Sequence, residues 1–326
     1  MRHCIAILLV LALHILQAQA QTTWLGRVES MLKKSYFGVD IDTAYIIRPR
    51  QRWSLRFSQN IAGTGIEAES RIDGLQQVTH LEADLRATFT LGIRYSGLAL
   101  ALSVNPAHLR GKNNDIELNM NAYGNRYGID LIGVSTRTLA GTITTADSQS
   151  DIAAGLVHQQ ALYANAYYAL NRRRFSYPAA FSQSYIQKAS AGSWLLGMSY
   201  FYTRVTTDQN SSLANAPSQL ILHNVGLGGG YAYNWVPARR WLLHLSALPT
   251  FVVYSYSRLT IGDDRTKMLT QFPEVIITGR GAVVYNMKHT FVGGSMVYTF
   301  SSNGKQDYLM VKNQKWRVRA FFGIRL

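Results

Sequence analysis

From Trp53 onward the chain alternates apolar and polar residues with a period of two, in stretch after stretch of about 9 to 14 residues. Trp53, Leu55, Phe57 and Ile61 share one parity, and Ser54, Arg56, Ser58 and Asn60 take the other. Leu85, Ala87, Phe89, Leu91 and Ile93 oppose Asp84, Arg86, Thr88, Thr90 and Arg94. Near the end, Val318, Ala320, Phe322, Ile324 and Leu326 oppose Arg317, Arg319 and Arg325. Successive side chains of a strand point to opposite faces, so each stretch is expected to be a strand with one apolar and one polar face. No stretch after the first 21 residues approaches the roughly 18 consecutive apolar residues of a membrane helix. The fold class is therefore all-β.

A soluble barrel or sandwich turns the apolar face inward, whereas a transmembrane barrel turns it toward lipid and keeps the polar face in the lumen. Strand length favours the second, because soluble strands are usually about 5 or 6 residues long. Charged residues at strand centres favour it too. So do Trp53, Trp194, Trp235, Trp241 and Trp316, which fall on the apolar parity near strand ends, where an interfacial aromatic girdle places them. The expected strands are 53–61, 84–94, 97–104, 115–123, 127–137, 156–171, 194–207, 223–236, 240–257, 275–288, 290–301 and 314–326, about 12 in all. Tight turns at Ser96, Gly124-Asn125-Arg126, Pro237-Ala238-Arg239 and His289 alternate with longer connections, as short periplasmic turns alternate with outer loops. In that topology four girdle tryptophans lie at the periplasmic end and Trp316 at the outer end. Pro249 lies inside WLLHLSALPTFVVYSYS and cannot donate to a ladder, so a bulge or break is expected there.

The first residues, MRHCIAILLVLALHILQAQAQ, have a basic start, an apolar run and an Ala-x-Ala cleavage site. They read as a signal peptide over residues 1–20, followed by a periplasmic lead-in over 21–52 and a barrel over 53–326. Cleavage removes Cys4, the only cysteine, and with it thiol catalysis, disulfides and thiolate metal sites. The chain carries 33 Lys+Arg against 18 Asp+Glu. An exported protein so basic is expected to meet outer-membrane lipids and lipopolysaccharide rather than nucleic acid. WRVRAFFGIRL ends on an apolar residue, as a signal for the barrel assembly machinery does, and deletion of Phe322 to Leu326 is expected to block assembly. The expected location is the bacterial outer membrane; the sequence leaves the oligomeric state open.

The connection at 172–193 occupies a periplasmic slot, where a tight turn is expected, yet it is long and opens with Arg172, Arg173 and Arg174. Two readings stand: strand extension with the arginines at headgroups or solvent, or a plug in the lumen whose arginines pair with Asp84, Asp130 or Glu117. The inward parity otherwise carries Arg56, Arg86, Arg94, Arg204, Arg317, Arg319 and Arg325, a cationic excess. A closed lumen is expected to conduct little, and to show a small anion-preferring conductance once residues 175–190 are excised.

The segments IDTAYIIRPRQRWSLRF (41–57), GLALALSVNP (97–106), YGNRYGIDL (123–131), RRRFSYPAAFSQSYIQKASAGSWLLG (172–197) and GGGYAYNWVPARRWLLH (228–244) resemble the Bacteroidetes family catalogued as domain of unknown function 4421. The resemblance implies an outer-membrane β-barrel of the cell envelope and brings no catalytic residues with it.

Chemistry is sparse. The histidines after the leader, His80, His108, His158, His223, His244 and His289, are scattered without metal-ligand spacing, and no cofactor is expected. His158 with Ser148 or Ser150 is the best lipase-like pair. His244 reads as lumen-facing. Asp263-Asp264 reads as a solvated loop and Gly228-Gly229-Gly230 as an aid to curvature. The expected role is a non-enzymatic structural barrel or narrow, plugged pore; the alternative is an outer-membrane lipid hydrolase of the lipid A deacylase or phospholipase type.

Overall fold

The computed structural model describes residues 40–51, 53–72, 75–95, 98–109, 115–208, 218–262, 264–267, 274–305 and 309–326. The signal peptide, most of the lead-in and Asp263 lie outside these residues. The elements are β1 (Ile46–Ile47), β2 (Trp53–Ile72), β3 (Leu75–Glu82), β4 (Arg86–Tyr95), β5 (Leu98–Val104), α1 (Pro106–Leu109), β6 (Ile116–Tyr123), β7 (Tyr127–Thr145), β8 (Gln149–Ala169), α2 (Tyr177–Phe181), β9 (Ile186–Gln187), β10 (Ala191–Thr207), β11 (Gln219–Trp235), β12 (Trp241–Ile261), β13 (Asp264–Thr266), β14 (Val275–Asn286), β15 (Thr290–Lys305) and β16 (Leu309–Arg325).

Ten antiparallel strands close a ring in the order β2, β3, β7, β8, β10, β11, β12, β14, β15, β16, and β16 pairs back onto β2 from Leu309↔Ser70 to Arg325↔Ser54. Each expected stretch falls on a strand, but the count differs from 12 because two strands are shared between neighbours. β2 carries β4 along Trp53–Ala62 and β3 along Gly65–Ile72. β7 carries β6 along Gly128–Ser135 and β3 along Ala140–Thr145. Toward the Trp53 end, called proximal below, the wall therefore runs β2, β4, β5 and then β6, β7. No ladder joins β5 to β6 among the described residues.

The proximal half of the barrel follows the alternation. Phe57, Leu91, Leu118, Leu245 and Phe322 are exposed on the outside, and Ser58, Asn60, Thr90 and Asp130 are buried on the inside. Beyond the level of Trp316 the strands exchange their faces: β2 and β16 do so in unbroken register, whereas β7 and β8 shift register between Thr136 and Gly141. Ile66, Leu81, Leu139, Ile152, Val157, Leu222, Leu259, Ile276 and Val311 now point inward and form one buried cluster. Outside, Lys312 binds Glu67 and Glu69 at 2.7 and 2.5 Å. Each buried aliphatic side chain there stabilises the distal half by about 1.5–3 kcal/mol. The expectation of a polar lumen along the whole barrel is thus corrected.

Trp194, Trp235 and Trp241 are exposed at proximal strand ends, with half-buried Trp53 at the same end. Trp316 lies in mid-strand instead, between Tyr298 of β15 and Gly63 of β2, and β16 runs on to Leu309. Pro249 acts on one side only. Toward β14 the ladder is unbroken through Pro249↔Ile277. Toward β11 pairing lapses between Gly228↔Thr250 and Tyr231↔Ala247, and the register shifts at Val225/Gly226. A residue without N–H can serve only one neighbour as acceptor, which accounts for this asymmetry.

Candidate functional site

The long connection after β8 turns into the barrel. Ser176 caps α2 by accepting from Ala179 N at 3.3 Å, and Pro178 sits in its first turn, so the sequence SYPAAF starts a helix even without length. Gln183, with φ of 54°, ends it in the left-handed region, and its N–H donates to Pro178 O at 2.7 Å. The chain then leaves the interior through β9, which pairs with β1 below the barrel.

Every residue from Phe175 to Phe181 is buried. Tyr177 stacks on Tyr167 at 4.3 Å between ring centres, and also meets Phe181 at 5.4 Å and His244 at 5.0 Å. Polar bonds key the plug to the wall. Ser176 Oγ donates to Asn125 Oδ1 at 2.7 Å, Asn234 Nδ2 donates to Ser176 O at 2.9 Å, and Tyr177 OH lies 2.8 Å from Ser246 Oγ. The 172–193 connection buries residues 175–181 inside the barrel, but Arg173 and Arg174 do not follow them. Arg173 and Arg174 are exposed, and Arg174 binds Asp42 at 3.2 Å and covers the Tyr45 ring at 5.0 Å. Aromatic and small residues close the lumen instead.

The wall supplies the charges. Arg280 binds Asp130 at 2.5 Å, with Tyr123 OH donating to the same carboxylate. Glu117 is shared by Arg86 at 3.0 Å, Lys315 at 3.2 Å and Arg317 at 2.6 Å. Arg319 Nε donates to Asn60 Oδ1 at 2.6 Å, and Arg56 donates to Phe181 O at 3.1 Å and Gln183 Oε1 at 3.3 Å. Arg56, Arg86, Arg94, Arg317, Arg319 and Arg325 therefore share the inward face. Arg204 and Asp84 do not; both are exposed to the outside. A cavity of about 40 Å³ remains between the plug and this wall, bordered by Tyr123, Asp130, Phe181, Arg280 and Arg319. The aliphatic cluster of the distal half closes the interior a second time.

His158 faces outward and does not meet Ser148 or Ser150. Ser148 bonds Thr145 in the β7–β8 turn, whereas His158 Nε2 lies 3.1 Å from Ser135 Oγ on the neighbouring strand. Sequence spacing could not find that partner, because antiparallel pairing brings it from a different strand. His244 faces inward, with Nε2 at 3.0 Å from Ser246 Oγ and Nδ1 at 2.7 Å from Asn234 Oδ1. This has the connectivity of a Ser-His-Asn triad. All three side chains are buried, however, and the Ser246 hydroxyl is engaged by Tyr177, which leaves no room for an acyl carbonyl. It latches the plug. The signal in sequence was the run of polar residues on the inward parity, Asn234, His244 and Ser246, beside a plug of unknown position. Among the described residues no group of three His, Cys, Asp or Glu is placed to hold a metal ion.

No curated protein matches the chain. Among solved structures, in-vitro folded OmpT, an outer membrane protein of Vibrio cholerae, aligns at 11% identity over 82% of this chain and 96% of its own, with a TM-score of 0.29. OprG, an outer membrane protein from Pseudomonas aeruginosa, aligns at 10% identity over 85% and 98%, with a TM-score of 0.29. The translocator domain of the autotransporter NalP from Neisseria meningitidis aligns at 10% identity over 95% and 98%, with a TM-score of 0.25. These likenesses say nothing of activity. The family described as Domain of unknown function (DUF4421) matches residues 40–325, and the chain belongs to it.

Proposed function

We propose that this chain is an outer-membrane β-barrel protein with a closed lumen, acting as a structural, non-enzymatic barrel rather than an open pore. One observation carries the reading: the outer face of β2 and β16 is apolar between Trp53 and Trp316, and beyond it Glu67, Glu69 and Lys312 stand outside while an aliphatic cluster packs inside. Trp316 pairs with Gly63, ten positions along β2 from Trp53. At about 3.3 Å per residue and a tilt of about 40°, that spans about 25 Å, the height of a barrel's lipid-facing band. The proximal end is periplasmic in this reading, and the distal half stands outside the membrane on the cell surface. Unboiled protein is expected to migrate faster on gels than boiled protein, and the chain is expected to require detergent for solubility. Planar bilayers containing it should show little conductance. Recovery of the chain as a soluble monomer without detergent would sink the membrane reading, and large steps in the intact protein would sink the closed lumen.

A second reading, a lipid hydrolase, is supported by the Ser135–His158 contact on the outward face. A serine hydroxyl within reach of an imidazole is the minimal acyl-transfer pair. Among the described residues no acid or amide bonds His158 Nδ1. Loss of a specific lipid deacylation in cells carrying Ser135→Ala would revive this reading, and an unchanged lipid profile would remove it.

A further inference from the structure

The inward face around β2 carries more positive charge than it can neutralise. At the proximal end Arg94, Ser54 and Arg325 share one rung across β4, β2 and β16. On the next inward rung Arg56 stands between Gly92 and Gly323, and Arg319 stands beside Asn60 two inward rungs above that. No carboxylate stands on these rungs; Glu117 is committed to Arg86, Lys315 and Arg317. Arg94 has no ion-pair partner among the described residues, and it lies within electrostatic reach of both Arg56 and Arg325. Arg325 is buried and donates to Asn286 Oδ1 at 2.7 Å and Thr290 O at 3.4 Å, both neutral acceptors that leave its charge unbalanced and its Nε free. Uncompensated charge inside a barrel wall is costly unless an anion meets it.

The wall is open beside this cluster. Arg94 pairs with Ala99 of β5, and β5 has no partner on its other edge among the described residues. Ala101, Leu102, Ser103 and Val104 are exposed on both faces of β5, as Asn119, Met120 and Asn121 are across the seam on β6. One strand spacing, about 4.8 Å, separates the guanidinium-bearing strand from the seam strand. Outward of the seam the wall is apolar, with Leu102, Leu118 and Met120 exposed. An apolar approach leading to a cationic inner face suits a molecule with acyl chains and a phosphate head.

We propose that Arg56, Arg94 and Arg325 form a binding site for the phosphate of an anionic lipid, which reaches it sideways through the seam between β5 and β6. The proposal rests on the membrane placement above and deepens it. Arginine fits such a head because its planar fork meets phosphate oxygens in pairs. The acyl chains stay in the bilayer against Leu102 and Leu118 while the head enters. A lipid held there completes the charge balance of the proximal lumen, so the barrel and its lipid form one unit.

The test uses the full-length chain in nanodiscs of equal parts phosphatidylcholine and phosphatidylglycerol, followed by mild delipidation and native mass spectrometry. Retained phosphatidylglycerol is expected to exceed phosphatidylcholine by about ten-fold, and Arg94→Gln to remove that preference, since each lost charge-assisted contact is worth about that factor. Arg94→Gln breaks no ion pair, so heat-modifiable migration should be unchanged. Ala101→Trp, which fills the seam and leaves the arginines in place, is expected to lower retention likewise. Arg173→Gln, exposed below the barrel, should leave it unaltered. Equal retention of both lipids, or equal retention by Arg94→Gln, overturns the site. Displacement of the lipid by millimolar inorganic phosphate assigns the arginines to a soluble anion and overturns the lateral route. A chain that never incorporates into nanodiscs fails at the membrane placement instead, so the two failures are distinguishable.

Discussion

The two halves of this barrel use one set of strands for opposite purposes. In the proximal half Phe57 and Phe322 face outward and Arg56 and Arg319 face inward; in the distal half Ile66 and Val311 face inward and Glu67 and Lys312 face outward. The backbone register never slips between them along β2 and β16. What changes is which parity carries the apolar residues. The difference shows that a β-strand has no intrinsic inside: the solvent on each side selects the residues, and a long strand crossing from one solvent to another must exchange them. The proximal half gains its interior cohesion from a polar and aromatic plug, the distal half from aliphatic packing. Substitutions can break that contrast or sharpen it.

The largest effect is expected in the proximal interior. Asp130 and Arg280 are 7% and 1% exposed, and Tyr177 of the plug lies 3.5 Å from Arg280 Nη1. Asp130→Ala leaves a buried guanidinium facing an aromatic plug and should destabilise the barrel by about 3–5 kcal/mol. Urea unfolding in detergent, followed by loss of heat-modifiable migration, measures it. Asp130→Asn keeps one acceptor oxygen for Arg280 and should cost less. An Asp130→Ala barrel as stable as wild type would mean that the proximal lumen is wetter than its packing indicates.

The next pair tests the exchange of faces directly. Phe57→Arg and Gln314→Arg place the same charge outward on adjacent strands, one midway between Trp53 and the Trp316 level, the other beyond it. The first should cost about 2–4 kcal/mol of membrane folding free energy, as arginine at a bilayer midplane does, and the second close to nothing. Leu139→Ala, inward in the distal half and fully buried, should cost about 2–5 kcal/mol through its cavity. If Phe57→Arg and Gln314→Arg behave alike, Trp316 does not mark a membrane boundary.

The parity exchange also explains which parts of the fold were legible in the sequence. Strand 53–61 was bounded where the odd positions cease to be apolar, yet β2 runs to Ile72 with Ile66 and Ala68 on the even parity. The same cause shortened strand 314–326 against β16, whereas strand 127–137 stops short of the end of β7 at the register shift after Thr136. A reading that follows one apolar parity stops where the faces exchange, not at the strand end. β3, LQQVTHLE, escaped notice because its only inward aliphatic residues sit in a polar run. Of the site, the inward arginines were legible from parity alone. The plug was legible as an anomaly of length, but the three arginines drew attention from Phe175, Tyr177 and Phe181, which do the closing. Nothing local marks a loop that folds inward; only the matching Asn234, His244 and Ser246 on distant strands do.

The plug has a revised expectation attached to it. Excision of residues 175–190 removes Tyr177 and Phe181 and was expected from the sequence to open a small anion-preferring conductance. The aliphatic cluster of the distal half lies above and closes the interior independently. Excision alone should therefore leave planar bilayers without conductance steps. Excision combined with Leu139→Ser and Val311→Ser should admit water and produce small steps, with reversal potentials in a salt gradient favouring anions. Steps from the excision alone would show that the distal core breathes, and cation preference would show that the proximal arginines are neutralised by something other than Glu117 and Asp130.

The smallest effect, and the finest test of the boundary, concerns Trp316. Its ring lies over Gly63, where an added Cβ would come within 2.7 Å of the indole. That close approach lets the large side chain lie flat against the wall at the point where the two halves meet. Trp316→Phe should change stability by no more than about 0.5 kcal/mol, because the residue is half-exposed and makes no polar contact among the described residues. Its depth is the informative quantity. In a chain that keeps Trp316 as its only tryptophan, lipids brominated near the headgroup should quench its fluorescence more strongly than lipids brominated near the chain ends, since indole prefers the interface. The reverse order would put Trp316 in the bilayer interior. The membrane band would then have to extend over Glu67, Glu69 and Lys312, whose charges could not remain unscreened against hydrocarbon.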